Sequence, residues 1–408
     1  MSATLENKWT DAQKAKLRED YPGYEPDLGL PVEPDRFNAQ AIDDILLWVT
    51  KIGASDVNFM TGEPVNIERE GKFVNISLRS LTASDMEIMT NLFYKGGNGV
   101  AFIRQAGEID ESYSIRNEDI GTSYLFRVNV TACRARHGAA GIQITIRTVP
   151  GIPSTFEKLG IEQEIQDAFN PENGLVIVCG KTGSGKSTLL SAGFHTKLKA
   201  GKNTQKILTF EKPIESVYDD VYRAADMIVQ HEIPTHVLTF AKAVRNSLRR
   251  APSDIMVGES RDYETISAAI EAAETGHRLY TTLHANSVPE ALYRMLNMFP
   301  YNERASKLFE IMETLRLIIA QKLVVGSNGR RVAVREFLVF DQWVRDRMRN
   351  AQTLKEAVSL LTGIVEERGQ TMLKSASKLF AEGRITKEVF DTFEDANRNV
   401  TDDFDTDF

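Results

Sequence analysis

Only two cysteines, Cys133 and Cys179, occur in 408 residues, each inside a strand-like run. That excludes a disulfide framework and a four-thiolate zinc site, and it fits a reducing compartment. Long apolar runs are also missing: none approaches the roughly 20 residues a membrane-spanning helix needs. The first thirty residues, with Lys8, Lys14, Lys16 and Arg18 among acids, do not resemble a signal peptide. Contact with a membrane would therefore go through partners. The body of the chain also lacks a charge excess. Net charge is -8, but residues 1–35 hold 8 acids against 4 bases and residues 391–408 hold 7 against 1. Of 57 acids and 49 bases, 42 and 44 remain for the rest, leaving +2. That is too balanced for a surface that coats nucleic acid, so nucleic acid is not expected as a direct ligand.

What is present centres on Gly174 to Thr188, GLVIVCGKTGSGKST. Leu175 to Cys179 suit a buried strand, and Gly180, Gly185, Lys186 and Ser187 complete G-x-x-x-x-G-K-[ST] before a helical pattern begins. Glycines let a backbone curl with its N–H groups inward, and the following helix aims its positive end at the same spot. Residues Gly180, Thr182, Gly183, Ser184, Gly185, Lys186, Ser187 and Thr188 therefore read as a cradle for phosphates. Lys186 would reach the β- and γ-phosphates, and the Ser187 hydroxyl would ligate Mg²⁺.

Around this loop the chain divides by pattern. Residues 1–35, polar and carrying four prolines, predict a flexible leader, and residues 36–150 predict an α+β domain with an antiparallel sheet. The latter has a hairpin turning at Glu70-Gly71. Pro150 to Pro153 mark a hinge. Residues 151–340 alternate strands and helices and predict an α/β domain with a parallel sheet, including a helix over 304–318. Residues 342–386 read as mostly helical, and an acidic tail at 391–408 reads as disordered.

Hydrolysis needs an acid that orients or deprotonates water. Glu211 and Glu259 fall just past buried strand patterns, where parallel α/β proteins place ligands, and Glu215 follows in the loop after Glu211. Taken alone, each also fits an ordinary helix N-terminal or loop carboxylate. His277 and His284 bracket Arg278 to Leu283; no third ligand has metal-site spacing, so His284 reads better as a hydrogen-bonding sensor of phosphate or of a neighbouring loop. Arg245 and Arg249 share a helical face, with Arg250 adjacent, and Arg261 follows Glu259. Surface pairing with acids competes here with stabilisation of transition-state charge.

Three further segments carry a family resemblance. ILTFEKPIE at 207–215, IMVGESRD at 255–262 and AAETGHRLYTTLHANS at 272–287 resemble the acidic, Walker B and histidine boxes of the secretion ATPase superfamily, the PilT-like type IV pilus retraction and type IV secretion ATPases. SDVNF, FRVN and IRTVP, at 55–59, 126–129 and 146–150, resemble its PAS-like N-terminal domain. The resemblance implies a PAS-like domain at 36–150, a RecA-like P-loop ATPase domain at 151–340, C-terminal helices at 341–390, and a homo-hexamer that hydrolyses ATP with Mg²⁺ between the two domains. Glu215 and Glu259 would serve the attacking water and the Mg²⁺ shell, and Arg127, Arg134 and Arg136 would contact phosphate. Lys212 departs from the family, which usually has Asp there. REFLVF at 335–340 and the segment from Asp341 to Arg347 are more similar to the Dot/Icm-type (type IVB) secretion and plasmid conjugation ATPases, the DotB-like subgroup. The expected function is thus a cytoplasmic ATPase at the inner-membrane face of a secretion or conjugation machine. A pilus retraction motor, a nucleic-acid translocase and a non-hydrolysing assembly protein are the alternatives.

Overall fold

The computed structural model describes residues 9–403 apart from 95, 118–121, 150, 152, 203, 220, 222–224 and 352. It divides into two compact units, residues 1–151 and 152–408. Pro150 and Ile152 of the expected hinge lie outside the described residues, as do residues 404–408 of the acidic tail.

In the first unit, strands β1 (Asp56–Met60), β2 (Pro64–Arg69), β3 (Lys72–Ser80), β4 (Ile109–Asn117), β5 (Thr122–Arg134) and β6 (Ala140–Val149) form an antiparallel sheet in the order β3-β2-β1-β6-β5-β4. Glu70 and Gly71 both take positive φ at the β2–β3 turn, the twist a two-residue hairpin requires. Alternation along the strands puts Val57, Phe59, Val65, Ile67, Phe126, Val128, Ile144 and Ile146 on one buried face. Helices Ala39–Lys51 and Ala83–Phe93 supply Ile42, Leu46, Met86 and Met89 to the same core.

The expected leader needs correction. Asp11–Asp20 is a helix capped by Thr10, and Tyr24 and Leu30 are buried. The segment adds to the β3 edge: Leu30 N–H donates to Ile76 C=O at 2.9 Å, and Glu33 Oε1 accepts from Leu78 and Arg79 N–H at 3.0 and 2.9 Å. Sparse apolar residues sufficed because the backbone found partners on an open sheet edge.

The second unit is built on a mixed sheet. Strands β7 (Gly174–Cys179), β8 (Lys206–Glu211), β9 (Met227–Glu232), β10 (Asp254–Val257), β11 (Arg278–Leu283), β12 (Leu315–Val325) and β13 (Arg331–Val339) run in the order β13-β12-β7-β11-β10-β8-β9. All neighbours are parallel except β12 with β13. β7 is buried throughout, with Leu175, Ile177 and Cys179 in one core and Val176 and Val178 in the other. Such a strand reads as an unbroken apolar run.

Two more expectations change here. The helix expected over 304–318 ends at Thr314, because Leu315 to Ala320 pair with β7 as a buried strand. The acidic end is helical as far as Asp403 in the helix Lys387–Asp403, which buries Phe393. The C-terminal helices belong to the second unit: Val344, Met348, Ala357, Leu361 and Ile364 join the main core.

At the amino ends of these strands, Asp254 is fully buried between Lys197 and Arg278, with Arg278 Nε 3.2 Å away and Ser253 Oγ donating at 2.7 Å. Burial pulls the Lys197 ammonium down to about 8, against the opposing pull of Asp254. Removing one partner from such a group leaves buried charge uncompensated. Asp254→Asn is therefore expected to lower unfolding free energy by about 3–5 kcal/mol in chemical denaturation.

Candidate active site

Parallel strands deliver their carboxyl ends to one edge of the sheet. Cys179, Glu211, Val257 and Leu283 end β7, β8, β10 and β11 there, and Thr182 to Thr188, Lys212, Glu215, Gly258, Glu259 and His284 line a cavity of about 420 Å³ beyond them. This is where α/β sheets bind ligands.

The loop's shape follows from its glycines. Gly180, Gly183 and Gly185 all have positive φ, and a Cβ on Gly180 would lie 2.4 Å from the Gln321 carbonyl oxygen and from Ser184 Oγ. The helix Lys186–Lys199 starts at Gly185 with no side-chain cap, whereas helices Tyr263–Glu274 and Val288–Asn297 are capped by Asp262 and Ser287. Its first-turn N–H groups are thus left to an anion. Lys186 is buried and donates to Gly180 C=O at 2.9 Å and Lys181 C=O at 3.1 Å. Burial pulls its ammonium below the ordinary value, and Glu215 and then Glu259 pull it back up. Both carboxylates therefore act on the loop lysine.

The carboxylates occupy different settings. Glu211 is buried; it accepts from Thr209 Oγ1 at 2.7 Å, from Glu215 N–H at 3.2 Å and from Gln230 Nε2 at 3.4 Å. Burial pushes its carboxyl up to about 7 despite these donors. Its role is to anchor the loop that presents Glu215, whose side chain is exposed to the cavity. Glu259 is held by His284, Nε2 to Oε1 at 3.1 Å, with Arg261 Nη1 3.6 Å from its other oxygen. His284 thus meets a neighbouring carboxylate. The preceding turn is fixed by Gly258 N–H on Phe210 C=O at 2.7 Å and Thr282 Oγ1 on Gly258 C=O at 2.6 Å.

Other expected residues are placed elsewhere. Arg245 and Arg249 do not line the cavity; Arg249 donates to Arg245 C=O at 3.1 Å, and Arg250 meets His231 at 2.9 Å. Arg127, Arg134 and Arg136 lie in the first unit, where Arg127 pairs with Asp110 at 3.1 Å and Arg136 with Glu63. His277, at the opposite end of β11 from His284, faces Thr275 Oγ1 at 3.3 Å. Arg331 and Leu323, at the β12–β13 hairpin, line the cavity without having been singled out in the sequence. No local motif marks them; only the pairing of β12 with β7 brings them there.

Ser187 and Glu259 both line the cavity and offer hard oxygen donors, chemistry that suits Mg²⁺. Among the described residues no group of three or more His, Cys, Asp or Glu could hold a metal alone. An ion here would share its shell with phosphate oxygens and water, the usual habit of Mg²⁺.

A glycine loop, an uncapped helix start and strand-end carboxylates together define a P-loop nucleotide site. Residues 121–342 match the Type II/IV secretion system protein family, and the chain belongs to that family. The type IV pilus retraction ATPase PilT of Pseudomonas aeruginosa is 32% identical over 350 residues, spanning 85% of this chain and 96% of that protein. The solved structure of the Legionella pneumophila ATPase DotB superposes with a TM-score of 0.82 at 40% identity, over 90% of this chain and 98% of that one. The pilus retraction motor PilT with bound ADP gives 0.74 at 28% identity, over 86% and 95%.

The Glu211 carboxyl supplies a pH test. Its folded value of about 7 lies above the ordinary 4.5, so the folded state keeps a proton that the unfolded chain has lost. Stability from this group is present below pH 4.5 and is lost as pH rises toward 7. Glu211→Gln is expected to remove about 1–3 kcal/mol of that decline between pH 5 and 8, read from the slope of denaturation midpoints with pH.

Proposed function

We propose that this chain is an ATP hydrolase that forms a hexameric ring and powers a type IVB secretion or conjugative transfer machine from the cytoplasmic side, reaching the inner membrane through partners. The observation that carries the reading is the DotB match, 40% identity over 90% of the chain, joined to a complete loop-and-carboxylate site. The PilT with ADP is 28% identical, which makes a retraction motor the second reading. Among the described residues no helix is long and apolar enough to cross a membrane.

In this reading Lys186 leaves the carbonyls of Gly180 and Lys181 for the β- and γ-phosphate oxygens, which the N–H groups of Gly183, Gly185, Lys186 and Ser187 would also meet, while the Ser184 N–H stays on Lys181 C=O at 3.1 Å. Ser187 and Glu259 would hold Mg²⁺, which neutralises charge between the β- and γ-phosphates when bound. Glu215 orients the water. As the water oxygen bonds to γ-phosphorus and the bond to ADP breaks, the water's proton passes to Glu215 or to the departing phosphate. His284 fixes the rotamer of Glu259 and so links β11 to the site. Arg261, beside Glu259, supplies positive charge to the phosphates, and Arg127, Arg134 and Arg136 keep the phosphate-contact role that the family resemblance assigns them. Arg245 and Arg249, away from the cavity, fit the surface role. Lys212 tunes the charge beside Glu215 without replacing a base.

Steady-state phosphate release tests the chemistry. Lys186→Ala should abolish turnover, and Glu215→Gln should lower kcat about 100-fold or more while Lys212→Asp changes it less than about 10-fold. A Glu215→Gln enzyme with normal turnover contradicts the assignment, and a wild type that binds ATP without turnover favours an assembly role.

Light scattering tests the ring. With Mg²⁺ and a non-hydrolysable ATP analogue at micromolar protein, the expected mass is six chains; a monomer contradicts the proposal.

A further inference from the structure

The strand β12 outruns its neighbour. β7 ends at Cys179 opposite Ala320, whereas β12 continues to Val325. Gln321 is the first residue past that pairing, and it backs the phosphate loop twice. Its carbonyl oxygen occupies the space a Gly180 side chain would need, and its Nε2 lies 2.8 Å from where a Cβ on Gly185 would stand. The same Nε2 donates to Ser184 C=O at 2.7 Å, between those glycines.

The direction of that amide is set from behind. Gln321 pairs across the hairpin with Arg335, whose Nε donates to Gln321 Oε1 at 2.7 Å. A guanidinium has only donors, so the oxygen of Gln321 must face Arg335 and its NH₂ must face the loop. Arg335 is buried, and its charge is met by Glu162 at 3.0 Å. Its main chain is pinned as well, N–H to Ser375 Oγ at 3.1 Å and C=O from Gln370 Nε2 at 3.0 Å. Gln321 itself is 5% exposed.

We infer that Gln321 is a positioning residue for the phosphate loop, with Arg335 and Glu162 fixing its amide so that the Ser184 carbonyl is held and Gly185, with the start of the helix Lys186–Lys199, presents its N–H groups toward phosphate. The inference rests on reading the loop as an ATP site. It adds a link from Glu162, Gln370 and Ser375 to the loop: a shift of Arg335 rotates the Gln321 amide and releases Ser184.

Gln321→Glu in the full chain separates positioning from packing. The carboxylate keeps the shape and the bond to Arg335, but it has no N–H, and its second oxygen faces the Ser184 carbonyl. The expected result is a thermal midpoint close to wild type, with KM for ATP and Kd for ADP each raised about 10-fold or more and kcat lowered less. Gln321→Met fills the slot with no donor. It is expected to raise both constants by a smaller factor, and it carries the test if the glutamate variant does not fold. Variants whose KM and Kd stay within about 2-fold of an active wild type overturn this inference alone. A wild type that binds no ADP overturns the nucleotide reading and the inference with it.

Discussion

A helix that begins on a glycine has no side chain to accept its first N–H groups. In this protein that helix, Lys186–Lys199, follows the fully buried strand β7 through the loop at 180–185, and its dipole and free donors converge on one spot. Everything else near the site answers to that constraint. Strands β8 and β10 bring carboxylates to the same edge, the longer strand β12 backs the loop, and Lys186 rests on the loop's own carbonyls, those of Gly180 and Lys181. Those carbonyls are weaker partners than a phosphate dianion, so the lysine is held in place without being held fast.

The acids at the site show how similar sequence contexts diverge in structure. Glu211 is the last residue of β8 and Glu259 lies two residues past β10, and Glu211 is turned inward onto Thr209 and the Glu215 backbone while Glu259 meets His284 and Arg261. The first stabilises a loop and keeps a raised proton affinity. The second stays beside the cavity. Glu215, which has no strand pattern of its own, gains its place because Glu211 holds its N–H.

The phosphate loop was legible because its chemistry is local: glycines, lysine, strand and helix follow one another within fifteen residues. The strands β7 and β11 and the helices at 186–199 and 288–297 were legible for the same reason, each having an unambiguous pattern and a clear stop. Leu315 to Ala320 were not. An apolar run that follows an amphipathic helix reads as more helix until a parallel partner is known, and that partner, β7, lies far back in the chain. Gln321 and Arg331 were hidden with it, and so was the pairing that brings Arg335 against Gln321. The polar stretch before residue 35 misled in the opposite way, since its order comes from main-chain bonds to β3 that composition does not record.

A structure of the full chain with Mg²⁺ and a non-hydrolysable ATP analogue tests most directly whether this loop is the nucleotide site. The expected result has Lys186 Nζ withdrawn from the carbonyls of Gly180 and Lys181 and bonded to β- and γ-phosphate oxygens, with Glu215 facing the γ-phosphate. Phosphates bound elsewhere, with Lys186 still on both carbonyls, would contradict it.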